Sequence, residues 1–170
     1  MKRWVALLLL FSLFFCAGCG SEDAEEPVTF YYLRSEIGYG SPDSVIVPEV
    51  RTAYGDNPTL TQLLTLYLNG PVSEDLKLPM SYNVRLTEVK RSSKNLTVTF
   101  TKELSYLDGM DLTLALACIS CTCFSLSDVE TVTIHAPAGS FDRPVLFTAY
   151  RDSFLLYDDT TTPPDADDAS

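Results

Sequence analysis

Histidine is nearly missing from this sequence, His135 being the single copy, and neither a G-x-S-x-G elbow nor a phosphate-cradling G-x-x-x-x-G-K or G-x-G-x-x-G loop occurs. Each shortage removes a class of function. A Ser-His-Asp or Cys-His triad would have to be built on His135 with no nucleophile context beside it. Nucleotide chemistry has no loop of backbone amides to hold its phosphates. Basic residues are also scarce, 12 Lys+Arg against 23 Asp+Glu, and the formal net charge of −11 repels nucleic-acid backbones, whose binding depends on neutralising phosphates. Glycine and proline, 8 and 10 residues, are too few for a low-complexity chain, while 46% apolar residues in a length of 170 suit one hydrophobic core.

The two ends read differently from the middle. Lys2 and Arg3 precede the apolar run Trp4 to Phe15, and Ala17 and Gly18 follow it, the three-part order of an export signal. That run has 12 residues, against the roughly 20 needed to cross a bilayer as a helix, so it reads as a cleaved segment, residues 1–18. Cys16-Ala17-Gly18-Cys19 resembles a bacterial lipobox, with Cys16 where Leu is usual; Cys19 is the expected lipidated residue, because bulky Phe15 precedes Cys16. An acidic tether, residues 19–27, and a polar tail, residues 158–170 with five Asp, flank the folded part. Without Lys2 and Arg3 the expected mature chain has 10 basic and 23 acidic residues, a formal charge of −13.

Between them, residues 28–157 alternate strand and helix signals. Val28 to Leu33 and Val45 to Val47 read as strands separated by Gly38, Gly40 and Pro42. Asn57-Pro58-Thr59 reads as a helix start, with Asn57 as cap and Pro58 in the first turn; Leu60, Leu63, Leu64 and Tyr67 make its apolar face, and Gly70-Pro71 ends it. Val84 to Arg91 and Leu96 to Thr101 form a hairpin turning at Ser92 to Asn95. Asp111 to Leu126, rich in Leu, Ala and Cys, is a second, largely buried helix with Asp111 as its cap. Strands at Val132–Ala136 and Val145–Ala149 follow, the first closed by Pro137 and Gly139, and Phe154–Tyr157 is a last apolar segment. The expected class is α+β, order ββαββαββ, with two helices packed on one face of a mostly antiparallel sheet.

Four stretches resemble the GerMN (sporulation and germination protein M) domain of exported Gram-positive lipoproteins. The leucine-bearing helix end Leu66-Tyr67-Leu68-Asn69 closes on Gly70-Pro71; Leu78-Pro79 follows; Leu96 to Thr101 alternates as a strand; and Thr122 precedes Val129 and Val132 at the family's offset, with Cys123 in place of its Leu. The resemblance covers about Thr59 to Gly139. It implies a non-catalytic envelope module acting in assembly or interaction, some members serving sporulation or germination, with Gly70 and Pro71 as structural positions and no cofactor.

Three residue groups have chemistry to offer. Cys118, Cys121 and Cys123 form C-x-x-C-x-C inside the second helix; the first two share a face, Cys123 points elsewhere, and no fourth ligand completes a zinc site, so packing is the expected role and no metal is expected. The alternative is an exported enzyme or thiol redox protein using Cys118 and Cys121 or His135. Glu103, Asp108 and Asp111 cluster in sequence, as solvated loop and cap in an acid-rich chain. Finally Arg85, Lys90, Arg91, Lys94 and Lys102 hold five of the ten bases of the mature chain. A contact surface at Arg85, Lys90, Arg91 and Lys94 would suit an envelope protein or anionic wall polymer, the membrane being reached through the lipid anchor and nucleic acid excluded. The opposing reading is a solvated hairpin edge blunted by its charges.

Overall fold

The computed structural model describes residues 27–36, 44–53, 57–139 and 143–153. The expected signal segment, Cys19, the Gly38–Pro42 punctuation, Phe154–Tyr157 and the acidic tail lie outside these residues. Strands β1 (Pro27–Arg34) and β2 (Ile46–Thr52) pair antiparallel, and a two-residue strand, β3 (Leu76–Lys77), joins the far end of β1 at Leu33 and Arg34. Helix α1 (Leu60–Leu68) lies between β2 and β3 in the chain. The second sheet has the order β4 (Leu86–Ser92), β5 (Asn95–Phe100), β6 (Thr131–Ala136), β7 (Val145–Tyr150). Its neighbours are antiparallel except β5 and β6, which run parallel from Asn95↔Thr131 to Thr99↔His135. That parallel pair requires a crossover, supplied by a short 3-10 helix (Lys102–Tyr106) and helix α2 (Gly109–Leu126). The α+β class and the mostly antiparallel pairing agree with the sequence reading. Two details are finer: β3 adds a strand too short to leave a pattern, and the strands divide into two sheets.

The helix boundaries follow from capping. Thr59, not Asn57, caps α1: the Gln62 amide donates to its hydroxyl (3.3 Å) while Gln62 Oε1 accepts from the Thr59 amide (2.8 Å). This reciprocal box satisfies two amides that no helical carbonyl can reach. Asn57, at φ 55°, belongs to the preceding turn. At the other end Gly70, at φ 92°, donates to the Tyr67 carbonyl (3.1 Å) and leaves the helix in the left-handed conformation that glycine adopts without penalty. In α2 the cap position falls to Asp108, in extended conformation, and Asp111 sits in the first turn instead. The C-terminal carbonyls of α2 find a remote partner. Arg151 donates from Nη2 to the carbonyls of Phe124 (2.9 Å) and Ser127 (2.6 Å) and from Nε to that of Val129 (2.8 Å), placing a cation at the negative end of the helix dipole.

Helix α2 is buried without interruption from Cys118 to Phe124, because the inner face of the four-stranded sheet lies on one side and β1 on the other. Leu96, Val98, Phe100, Val132, Ile134 and Ala136 project from that sheet into the core, where they meet Ile119, Cys123 and Phe124 of α2 and Leu64, Tyr67 and Leu68 of α1. Burial of this kind is worth about 25 cal/mol per Å² of apolar surface. The contact with β1 is polar as well. Alternate residues of β1 bond to β2, so the amide of Tyr31 and the carbonyl of Thr29 point away from it. Thr122 Oγ1 accepts from the first (2.9 Å) and Ser125 Oγ donates to the second (2.5 Å). Two helix hydroxyls thus give the outward main-chain groups of this strand edge partners, one part-buried and one at the surface.

Candidate functional site

The expected contact surface is the β4–β5 hairpin, which turns at Ser93 and Lys94. Arg91 and Lys94 do not stand free there. Both reach Asp128, just beyond the end of α2: Arg91 through Oδ1, and Lys94 through Oδ2 at 3.1 Å and the backbone carbonyl at 2.9 Å. The hydrogen bonds from Lys94 and Arg91, with their charge, hold the Asp128 carboxyl below its usual range. Lys90 pairs with Glu88 along its own strand at 2.8 Å. Arg85 lies ahead of β4 and donates to the carbonyls of Tyr82 and Val84 (3.0 Å to the latter), and Lys102 opens the 3-10 helix. The structure therefore brings Arg91 and Lys94 together and leaves Lys90, at 69% side-chain exposure, the most open of the three paired bases. Asp128, which organises the tip, was not singled out from sequence. It follows the end of a helix, where an acid carries no distinctive pattern.

A second ionic group emerges that sequence reasoning also missed. Glu49 and Arg51, two apart on β2, share one face and form an ion pair with only 11% of either side chain exposed. Glu49 Oε1 accepts from the amides of Val72 (3.0 Å) and Ser73 (2.9 Å), and Arg51 Nη2 donates to the Gly70 carbonyl (2.7 Å) and the Tyr32 hydroxyl (3.2 Å). The guanidinium also lies over the rings of Phe30 (5.2 Å) and Tyr32 (5.4 Å). The Tyr32 hydroxyl itself donates to the Tyr67 carbonyl (3.0 Å). This pair locks the Gly70–Ser73 segment onto β2, which gives the Gly-Pro stretch at the end of α1 its structural role.

The chemically reactive residues do not converge. Cys118, Cys121 and Cys123 are all buried, and desolvation pushes their thiols up from 9.0 to about 12, about 11 and about 12, so they hold their protons at neutral pH. His135 lies on β6 between inward-facing Ile134 and Ala136, and its side chain belongs to the outer face, opposite the thiols. Asp108 and Asp111 belong to the start of α2, and Glu103, half-buried on the 3-10 helix, has its carboxyl pKa lowered first by the Thr101 hydroxyl. Among the described residues, no three His, Cys, Asp or Glu side chains gather as a metal site. Helix α2 is also long and apolar enough to span a membrane, but half of its length is buried inside the domain, where it serves as the central core helix.

These features place the chain among α+β domains in which a long buried helix crosses between two parallel strands. No family model and no curated protein matches it. Among solved structures it is similar to the tandem GerMN domains of the sporulation protein GerM from Bacillus subtilis, with a TM-score of 0.54 and 21% identity over 76% of this chain and 48% of that one. The chain therefore has the GerMN-domain fold and spans about half the length of that tandem structure. A candidate lipoprotein from Clostridium perfringens aligns over 72% of this chain and 87% of its own, at 14% identity and a TM-score of 0.38.

Proposed function

We propose that this protein is an exported, non-catalytic interaction module of the cell envelope, held extracytoplasmically at the membrane by a lipid on Cys19. It meets an envelope protein or anionic wall polymer through the β4–β5 hairpin. The observation that carries the reading is the separation of reactive groups: protonated, buried thiols lie on one face of the four-stranded sheet and the single imidazole lies on the other. A fold shared with domains of a sporulation protein supports a place in sporulation or germination assembly. Lys90, Arg91 and Lys94 supply the contact, because their partners are acids at the surface that an incoming anion can replace in their coordination.

The test is charge reversal. Lys90→Glu, Arg91→Glu and Lys94→Glu together should abolish salt-sensitive retention on immobilised wall teichoic acid and reduce crosslinking to envelope proteins, with little change in melting temperature. Retention and crosslinking equal to wild type would remove the hairpin from the binding surface.

A further inference from the structure

The two outer strands of the four-stranded sheet are finished in opposite ways. On one side β4, Leu86–Ser92, carries Glu88, Lys90 and Arg91 and a register break between Leu86 and Glu88, devices that discourage any further strand from pairing. On the other, β7 reads Val-Leu-Phe-Thr-Ala-Tyr from Val145 to Tyr150, with no charge, no proline and an unbroken register against β6. Among the described residues β7 pairs with β6 alone. The Arg151 amide continues that pairing by donating to the Glu130 carbonyl (3.0 Å), so by alternation the main-chain groups of Leu146, Thr148 and Tyr150 point outward at the open edge. Beside this strand runs a cleft of about 600 Å³, walled mainly by apolar side chains, among them Leu107, Leu112, Leu116 and Phe147, with the charged Asp108 and Arg143 also on its lining. Leu146 is 73% exposed at its rim. An open edge with an apolar cleft next to it is the geometry of a strand-acceptor site, in which main-chain bonds hold an extended segment and the cleft receives its alternate side chains.

We propose that this acceptor site takes an extended apolar segment, and that its resident occupant is Phe154–Tyr157 of the same chain. The described chain ends at Ser153, after a three-residue turn, Arg151–Ser153, at the very end of β7. Three residues are a common length for a hairpin connection. The next four, Phe-Leu-Leu-Tyr, are the last apolar run before the polar tail. Antiparallel pairing across a three-residue turn would set Leu155 opposite Ala149 and Tyr157 opposite Phe147, on the face that borders the cleft. Proximity favours this occupant over any other, since a segment tethered three residues away meets the edge at an effective concentration in the millimolar range. A partner strand reaches β7 only by displacing it.

Hydrogen exchange on the full mature chain tests the assignment. The amides of Leu146 and Thr148 should exchange at least about a hundredfold more slowly than unprotected amides, at all protein concentrations, in a monomer by sedimentation. Changing Phe154, Leu155, Leu156 and Tyr157 together to Ser should release those two amides while the amides of Phe147 and Ala149, bonded to β6, stay protected. Full-rate exchange of Leu146 and Thr148 in the wild type would overturn the proposal. So would protection that appears only with dimer formation, which would assign the edge to a second copy, or protection that survives the fourfold substitution.

Discussion

The two ionic groups of this domain use the same chemistry at different depths. Glu49 and Arg51 are nine-tenths buried and every contact they make is with the fold itself, whereas Asp128, Arg91 and Lys94 retain 48% to 68% side-chain exposure. Taking a charge out of water is costly, and the cost is offset only where further hydrogen bonds complete the pair, as the Val72, Ser73 and Gly70 backbone groups do for the first. The second remains in high dielectric, where its attraction is weak and exchangeable. Depth therefore separates a pair that holds a loop in place from one that is free to change partners.

The strongest way to probe the interior half of this contrast is alkali. The three thiols of α2 stay protonated in the folded protein to about pH 11–12, while an unfolded chain loses those protons near pH 9. The unfolded state then binds fewer protons, so the thiols' contribution to stability is complete below about pH 8.5 and is lost above it by about 1.4 kcal/mol per pH unit for each thiol, until the folded-state values are passed. Urea midpoints measured from pH 7 to 11 should drop steeply, and a Cys118→Ala, Cys121→Ala, Cys123→Ala variant should show a much shallower decline. A next, smaller loss is expected for Arg51→Ala. It leaves Glu49 buried without its cation and should cost about 3–5 kcal/mol in chemical denaturation; a loss under about 1 kcal/mol would place this pair in the same category as the hairpin. Smallest is Asp128→Asn, expected to change stability by less than about 1 kcal/mol while strengthening low-salt retention on teichoic acid. A large destabilisation there would erase the distinction.

Much of the fold was legible in the sequence because apolar spacing determines which faces are buried. The alternation in Leu96–Phe100 and Val132–Ala136 gave both central strands, and Leu63, Leu64 and Tyr67 gave the buried face of α1. What stayed hidden depends on contacts between distant residues. Thr59 wins the cap from Asn57 because Gln62 returns a bond to it, and β3 exists only because Leu33 and Arg34 have a free edge to offer. The division into two sheets arises from α2 taking up one edge of β1 with Thr122 and Ser125, hydroxyls that look unremarkable in a cysteine-rich helix. At the candidate site the clustered bases of the hairpin could be read directly. Their neutralisation by Asp128 could not, since Arg91 and Asp128 are 37 residues apart.

The parallel register of β5 and β6 also orders events in time. The β4–β5 hairpin closes over a two-residue turn and can form from neighbours in the chain, but β6 cannot join it until the whole stretch from Thr101 to Glu130 has been looped across. Contacts separated so far in sequence carry a larger loop-closure entropy and slow the search for the native state. Closing the chain across α2 is thus what joins the β6–β7 pair to the β4–β5 hairpin. A break in the backbone between β5 and α2 would uncouple the two halves of the domain during folding, whereas one between β6 and β7 would spare the step that joins them.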